Sequence, residues 1–208
     1  MTTPQNDAAR PRSPLPWKTR LAISFVSAIT DSAMRPNGKL NRRVLRILDF
    51  KCPPTPLTPL RSVLSTDVTV DHTRNIWIRV YTPLADGVDE RALGSLPVMV
   101  FYHGGGFTSL SAASKSYDLV CRRLAKCIPA VVVSVEYRLA PEHKYPCQHD
   151  DGFDALKFLD ENHSTVLSPV ADITKSFLCG DSAGANLAHH MAVRACRSRF
   201  EALRVIGL

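Results

Sequence analysis

Residues 177–184 read Phe-Leu-Cys-Gly-Asp-Ser-Ala-Gly and are followed by a stretch with helical patterning at 186–196. This order predicts a buried strand, a sharp turn with Ser182 at its apex, and a helix. Gly180 and Gly184 suit a turn so tight that a side chain there would collide with the neighbouring strand or helix. The turn would expose the Ser182 hydroxyl above a sheet, which makes it a candidate nucleophile.

A second motif ends an apolar, strand-like run and consists of His103 followed by Gly104, Gly105 and Gly106. At this position, bare backbone N–H groups can approach the oxygen that becomes negatively charged during acyl transfer. We therefore expect an oxyanion hole built from these glycines and from the amide of Ala183, which follows the nucleophile.

Other polar residues near these motifs are expected to have supporting roles. His103 precedes the oxyanion glycines, so we expect it to hold the loop by hydrogen bonds and not to act as the base. Asp181 is expected to accept a local backbone hydrogen bond. Asp150 and Asp151 open a predicted helix at 148–161, where carboxylates favourably meet the helix dipole, so they are interpreted as caps.

A third motif, residues 137–146, reads Tyr-Arg-Leu-Ala-Pro-Glu-His-Lys-Tyr-Pro and leaves the apolar run 130–136. We expect Arg138 and Glu142 to pair with each other or with backbone and to fix this loop. The three motifs, in this order, resemble the hormone-sensitive-lipase branch of the α/β hydrolases. The flanking sequence resembles plant carboxylesterases and the related gibberellin receptors, and the resemblance covers nearly the whole chain.

The strand pattern and the resemblance predict the same fold. Alternating segments at 67–70 and 76–81 predict two antiparallel strands. Continuous apolar runs at 98–102, 130–135 and 177–179 predict parallel strands covered by helices on both faces. We expect an α/β-hydrolase fold, a mostly parallel sheet flanked by helices, with the serine turn and the glycine loop together at the carboxyl ends of neighbouring strands.

The predicted domain organisation is an N-terminal extension, 1–62, and the first part of a hydrolase domain, 63–208. The extension would contain a disordered Pro-rich leader at 1–16, a helix at 17–34 and an extended Pro-rich linker at 52–59. The resemblance implies that the helix is a mobile lid over the site. The structural alternative is that it covers part of the core.

Composition is that of one globular domain, with 45% hydrophobic and 22% charged residues among 208. The formal net charge is +7, and residues 1–50 carry nine Lys or Arg against three Asp, hence +6 of it. A basic arm can contact nucleic acid or an acidic membrane, but charges scattered among apolar residues favour a solvated face, so no nucleic-acid partner is expected.

Neither membrane insertion nor metal binding is indicated. No apolar stretch approaches the ~20 residues that cross a bilayer. Residues 21–29 fit the short core of a secretory signal, although their apolar spacing favours an amphipathic helix. The six cysteines lack metal-ligand or CxxC spacing, which predicts reduced thiols and no bound metal. No other cofactor is expected. Reduced thiols favour a cytoplasmic location, and an additional nuclear location stays open.

In α/β hydrolases the catalytic triad runs Ser, then Asp or Glu, then His along the chain. After Ser182 there are 26 residues, which include His189 and His190 on the predicted helix and Glu201 near the end. The sequence therefore predicts a chain truncated before the triad acid and base. Loss of the base can cost on the order of 10⁶ in rate, so low activity of the isolated chain is expected.

Three functional hypotheses follow. The first is a serine carboxylesterase that cleaves small-molecule esters through an acyl-enzyme. The second is a gibberellin-receptor-like binding protein without catalysis. The resemblance weighs against it because such receptors commonly carry Ser at the position of Gly106. The third is a fragment or splice form without stable activity, since an unpaired strand edge favours aggregation.

Overall fold

A computed structural model of the chain describes residues 15–47, 49–84 and 95–208. The predicted disordered leader lies almost wholly outside these residues. The chain divides into two compact units, Met1–Leu48 and Asp49–Leu208. This division comes earlier than the predicted boundary at residue 62. Within the described ranges, no helix combines the length and the apolar character that a membrane span requires.

The first unit contains helix α1, Trp17–Ala33, and the short helix α2, Arg42–Leu45. The predicted helix is thus confirmed. A turn follows α1, in which the Gly38 N–H donates to the carbonyl of Arg35 at 2.9 Å. Gly38 has a φ of 73°, a left-handed conformation that glycine adopts without steric cost. The lid role of α1 stays a prediction.

The second unit is a helix-flanked sheet, and its described strands have the order β1-β2-β4-β3-β5-β6. The strand β2 pairs antiparallel with β1 and β4, and the remaining pairs are parallel. This confirms the predicted α/β-hydrolase architecture. The strands are β1 Val63–Asp71, β2 Ile76–Pro83, β3 Leu96–Tyr102, β4 Val131–Glu136, β5 Ala171–Gly180 and β6 Val205–Gly207, and the helices are α3 Lys115–Cys127, α4 Cys147–Val166 and α5 Ala183–Cys196.

Both faces of the sheet are buried, as its continuous apolar strands require. In β4, Val131, Val133 and Val135 point into the larger core, which α4 and α5 complete. Val132 points the other way, into a smaller core with Tyr117 and other residues of α3. The alternation of side chains along one strand therefore assigns α3 to one face and the other two helices to the opposite face.

Segment 52–59 is not a free linker, because buried arginines bind it to the sheet. Arg122 of α3 donates to Asp118 at 2.9 Å, to the Val63 carbonyl at 2.8 Å, to Ser65 at 2.8 Å and to Thr55 at 3.0 Å. Only 1% of Arg122 is exposed. These bonds place the Pro-rich segment in the second unit, which explains why the division precedes it.

A second buried arginine repeats this arrangement on β2. Arg79 forms a bidentate pair with Asp67 of β1 and donates to the Cys52 carbonyl at 2.9 Å. Its charge lies 3.8 Å from Asp118, which also accepts from the Tyr81 hydroxyl. Removing one member of such a network leaves buried charges without partners, and that loss is costly.

We predict that Arg122→Ala lowers the free energy of unfolding by about 3–5 kcal/mol, because the Asp118 carboxylate and the Val63 carbonyl lose a buried donor. Urea unfolding followed by circular dichroism measures this change. The matched control is Arg123→Ala, which removes an exposed arginine from the same helix. Equal unfolding midpoints for the two variants would contradict the role given to the network.

Candidate active site

The serine turn joins β5 to α5 through a strained residue. Ser182 lies between the end of β5 at Gly180 and the start of α5 at Ala183, with φ 50° and ψ −117°. A non-glycine residue in this region is uncommon and costs of order 1–3 kcal/mol, so the surrounding structure must enforce it. The strained strand-to-helix turn with an exposed serine is the geometry of a nucleophile elbow.

Two glycines allow this turn to press against the end of β3. A β-carbon on Gly184 would lie 1.9 Å from the Tyr102 carbonyl oxygen, and one on Gly180 would lie 2.6 Å from the same atom. Gly180 would also meet the Gly184 backbone at 2.5 Å. Because these are backbone atoms, no side-chain movement relieves the collisions, which gives both glycines the steric role expected of them.

The glycine loop follows β3 and contains two residues with positive φ, 103° at Gly105 and 61° at Gly106. The Gly105 carbonyl accepts from the N–H groups of Thr108 and Ser109 at 3.0 Å. A β-carbon at Gly105 would lie 2.2 Å from the Ser109 carbonyl oxygen, whereas one at Gly106 would meet nothing nearer than 3.8 Å. The first position therefore requires glycine, and the second has room for a small side chain.

The loop and the serine turn touch each other through Gly104. Its N–H donates to Asp181 Oδ1 at 2.9 Å and to the Tyr117 hydroxyl oxygen at 2.8 Å, and that hydroxyl donates to Asp181 Oδ2 at 3.0 Å. We call these three residues the Gly104 junction. Sequence reasoning missed Tyr117, which lies 13 residues beyond Gly104 outside every motif.

The junction changes two expectations. The amide of Gly104 was predicted to serve the oxyanion hole, but it is engaged within the protein, so Gly105, Gly106 and Ala183 are the candidate donors that remain. Asp181 does accept from a backbone N–H, as expected, but that group is 77 residues away in the chain and not local. The carboxylate thus joins two loops.

His103 holds the glycine loop from within the protein. Its side chain is fully buried, and its Nδ1 forms a 2.8 Å hydrogen bond with the Gly104 carbonyl. The ring stacks on Tyr137 at 4.2 Å, and the Tyr137 hydroxyl donates to the His103 carbonyl. Burial lowers the pKa of His103 to about 4. A neutral, buried imidazole fits the expected supporting role and is out of reach of a substrate.

The loop of the third motif is tied to its neighbours on both sides. Arg138, expected to pair with Glu142 or with backbone, forms a bidentate pair with Asp151 at 2.8 and 2.9 Å. Asp151 is fully buried, pairs with Arg138 and lies beyond the first turn of α4, so its interpretation as a helix cap was wrong. Asp150 does lie in the first turn of α4. The Ala140 N–H also donates to the carbonyl of residue 107, next to the glycine loop, at 2.8 Å.

The histidines after Ser182 lie too far along α5 to act as a base for its hydroxyl. His189 is seven residues beyond Ser182, which corresponds to about 10 Å of helix. His189 and His190 instead pack in a cluster of rings, with His190 5.0 Å from His149 of α4. In the described part of the chain, the Ser182 hydroxyl forms no hydrogen bond with a histidine or a carboxylate, and no group of three or more His, Cys, Asp or Glu is arranged to hold a metal ion.

Comparison with known families agrees with this geometry. A family model described as "alpha/beta hydrolase fold" matches residues 99–208, which include the glycine loop and the serine turn. The chain belongs to the α/β-hydrolase family. Within this family, the expected resemblance to plant carboxylesterases and gibberellin receptors is confirmed by the relatives that follow.

A gibberellin receptor of Arabidopsis thaliana is 40% identical over 91% of this chain and 57% of its own length. The gibberellin receptor of Oryza sativa subsp. japonica is 36% identical over 93% of the chain and 58% of its own. Carboxylesterase 20 of Arabidopsis thaliana is 36% identical over 78% of the chain and 50% of its own. The chain therefore spans about half the length of the curated relatives that it matches.

Solved structures of hydrolases share the fold. A hyperthermophilic esterase from the archaeon Pyrobaculum calidifontis has 32% identity and a TM-score of 0.60, over 90% of this chain and 55% of its own. An ester hydrolase from the metagenome of Lake Arreo, solved with a phosphonate derivative, has 28% identity and a TM-score of 0.62, over 93% and 60%.

We predict a pH dependence of stability from His103. The unfolded imidazole takes up a proton near pH 6.5, whereas the folded one does so only near 4. The contribution of neutral His103 to the free energy of unfolding is therefore fully present above pH 6.5 and is lost as the pH falls toward 4. The loss is roughly 2 kcal/mol between pH 7 and pH 4.5. Urea unfolding at these two pH values measures the loss.

The matched variant is His103→Asn, which keeps a side-chain N–H donor but has no proton to take up. Glu136 Oε2 lies 3.9 Å from His103 Nε2, and burial raises the pKa of Glu136. The contribution of this carboxyl to stability therefore rises as the pH falls, and it does so in both proteins. Wild type should therefore lose about 2 kcal/mol more than the variant. Equal losses would show that His103 is not held neutral by burial.

Proposed function

We propose that this chain carries the nucleophile and the oxyanion donors of a serine carboxylesterase that acts on small-molecule esters. The observation that carries this proposal is the strained, exposed Ser182, in contact through Asp181 with a glycine loop of positive φ. The carboxylesterases among its relatives and the esterases among its structural neighbours support the same activity.

In the proposed reaction, Ser182 Oγ attacks the ester carbonyl carbon, and the carbonyl oxygen takes up the electron pair. The amides of Gly105, Gly106 and Ala183 donate to this oxygen, and loss of one such donor costs on the order of 10² to 10³ in rate. The tetrahedral intermediate then collapses, the alcohol leaves, and the acyl group stays on Ser182. Water cleaves this acyl-enzyme in the second half of the reaction.

The Ser182 proton must pass to a base during the attack. Among the described residues, the two histidines that follow Ser182 are exposed on α5, where their rings contact each other and the ring of His190 contacts His149 of α4. His103 is buried and neutral. Acylation of this chain is therefore expected to be slow and to depend on a base from solution. Added imidazole can serve as that base.

We predict that p-nitrophenyl acetate acetylates Ser182 and that imidazole accelerates this reaction in proportion to its concentration. Mass spectrometry of the intact protein, followed by peptide mapping, counts one acetyl group and locates it. This readout is independent of the hydrolysis of the ester by imidazole in solution. Ser182→Ala should abolish the site-specific acetylation.

Ser198→Ala is the matched control, because it removes a hydroxyl just beyond the other end of α5, where Ser198 donates to the Arg194 carbonyl. It should be acetylated like wild type. Acetylation spread over lysines, or equal in wild type and Ser182→Ala, would exclude Ser182 as the nucleophile. Denatured wild type should also fail to react at Ser182, since only the folded chain aligns the oxyanion donors.

A second candidate function is the binding of a gibberellin without catalysis. It is favoured by the gibberellin receptors among the relatives, which reach 40% identity. Against it stands Gly106, where the resemblance implies Ser in such receptors. The position has room for a β-carbon, but its φ of 61° lies in the left-handed region that favours glycine, so a serine there would strain the backbone.

We predict that isothermal titration calorimetry of the chain with a bioactive gibberellin shows no saturable heat. Gly106→Ser is the matched variant, because it introduces the residue that the receptors commonly carry. Saturable binding by the unmodified chain, together with no acetylation of Ser182, would reverse the order of the two proposals.

A further inference from the structure

Three structural elements meet at the amide of Gly104. The glycine loop supplies this N–H, the serine turn supplies both oxygens of Asp181, and α3 supplies the Tyr117 hydroxyl. The hydroxyl accepts from Gly104 and donates to Asp181, so it uses its oxygen and its proton at once. Each side of the triangle measures between 2.8 and 3.0 Å.

Only glycine permits this approach. A β-carbon at position 104 would lie 2.7 Å from Asp181 Oδ2, 2.8 Å from the Tyr117 hydroxyl and 2.9 Å from the Asp181 carbonyl oxygen. The absence of a side chain at Gly104 therefore serves contact within the protein and not access for a substrate.

Tyr117 is itself rigidly held. It is 7% exposed, and its ring packs against Phe101 at 5.8 Å and against His103 at 5.6 Å. One residue later in α3, Asp118 belongs to the buried pair with Arg122. The hydroxyl thus projects from a fixed helix, whereas Asp181 is exposed and would otherwise be free to change rotamer.

The position of Asp181 matters for an oxyanion. A carboxylate beside the nucleophile repels negative charge that develops on the substrate oxygen. Hydrogen bonds to Gly104 and Tyr117 hold both carboxylate oxygens on the protein side of the turn. The bonds made by the Gly104 N–H also fix the orientation of the peptide between His103 and Gly104, from which the chain continues to Gly105 and Gly106.

We infer that Tyr117 is a positioning residue, which holds Asp181 and Gly104 together and thereby aims the Gly105 and Gly106 amides at the oxygen of a substrate bound at Ser182. This inference rests on the proposed function, since it assumes that the two amides serve an oxyanion. A purely structural role would predict instead that Tyr117 matters only through the stability of α3.

Two variants separate these roles. Tyr117→Phe removes the hydroxyl from the junction and keeps the ring in its packing. Tyr81→Phe is the matched control, because Tyr81 is a buried tyrosine of the same core cluster whose hydroxyl also donates to a carboxylate of α3, that of Asp118, 3.2 Å away. Tyr117→Phe removes two hydrogen bonds of the Gly104 junction, and Tyr81→Phe removes one buried hydrogen bond to α3, so only the first variant alters the glycine loop.

The first measurement is amide hydrogen exchange of Gly104 by NMR, which needs no reaction at Ser182. Tyr117→Phe should accelerate exchange at Gly104 by about tenfold, the change expected from the loss of one hydrogen bond of ordinary strength. Tyr81→Phe should leave it within about twofold of wild type. Equal exchange in wild type and Tyr117→Phe, or equal acceleration in both variants, would overturn the inference.

The second measurement is ¹⁹F NMR of an aryl trifluoromethyl ketone, whose hemiketal with Ser182 places an oxyanion beside the glycine loop. Tyr117→Phe should raise the dissociation constant of the adduct by about tenfold, and Tyr81→Phe should not raise it. This is less than the 10² to 10³ that loss of a whole oxyanion donor costs, because the two amides are displaced and not removed. An equal affinity in Tyr117→Phe and wild type would overturn the inference. An absent adduct in wild type, or one that persists in Ser182→Ala, would overturn the proposed function, and the exchange at Gly104 would still decide the role of Tyr117 in the junction.

Discussion

The parallel pairing of β3 with β5 is the constraint on which the site depends. It places Tyr102 opposite Gly180, so the two strands end at the same level and their following loops meet. The approach of Gly184 to the Tyr102 carbonyl is possible only without a side chain, and the strained Ser182 lies between these contacts. Strand register, glycine placement and the exposed hydroxyl are thus parts of one arrangement.

The arrangement explains how this chain can hold the residues of the proposed esterase site in an ordered form. The serine turn and the glycine loop are held by backbone contacts, by the Gly104 junction and by the buried His103. All of these lie within the second compact unit. Preorganised donors of this kind contribute to catalysis before any base acts, because they need no rearrangement when charge develops.

Sequence patterns predicted the strands β1 to β5, the helices α1, α4 and α5 and both loops, because each rests on local signals such as apolar runs and glycine spacing. They gave no residue ranges for α2 and α3. They failed where a partner is distant in the chain. Asp151 looks like a helix cap from its position, but Arg138 draws it into a buried pair. Gly104 looks like an oxyanion donor, but Tyr117 and Asp181 occupy its amide. These pairings depend on which residues the fold brings together, and no local sequence pattern indicates them.

The most direct test is a crystal structure of the chain after reaction of Ser182 with an aryl phosphonate. Our account predicts that the phosphoryl oxygen accepts hydrogen bonds from the N–H groups of Gly105 and Gly106 at about 2.7–3.1 Å, with the Gly104 amide still bound to Asp181. A phosphoryl oxygen directed to solvent, while the glycine loop keeps its described conformation, would contradict the convergence of the nucleophile and the oxyanion donors.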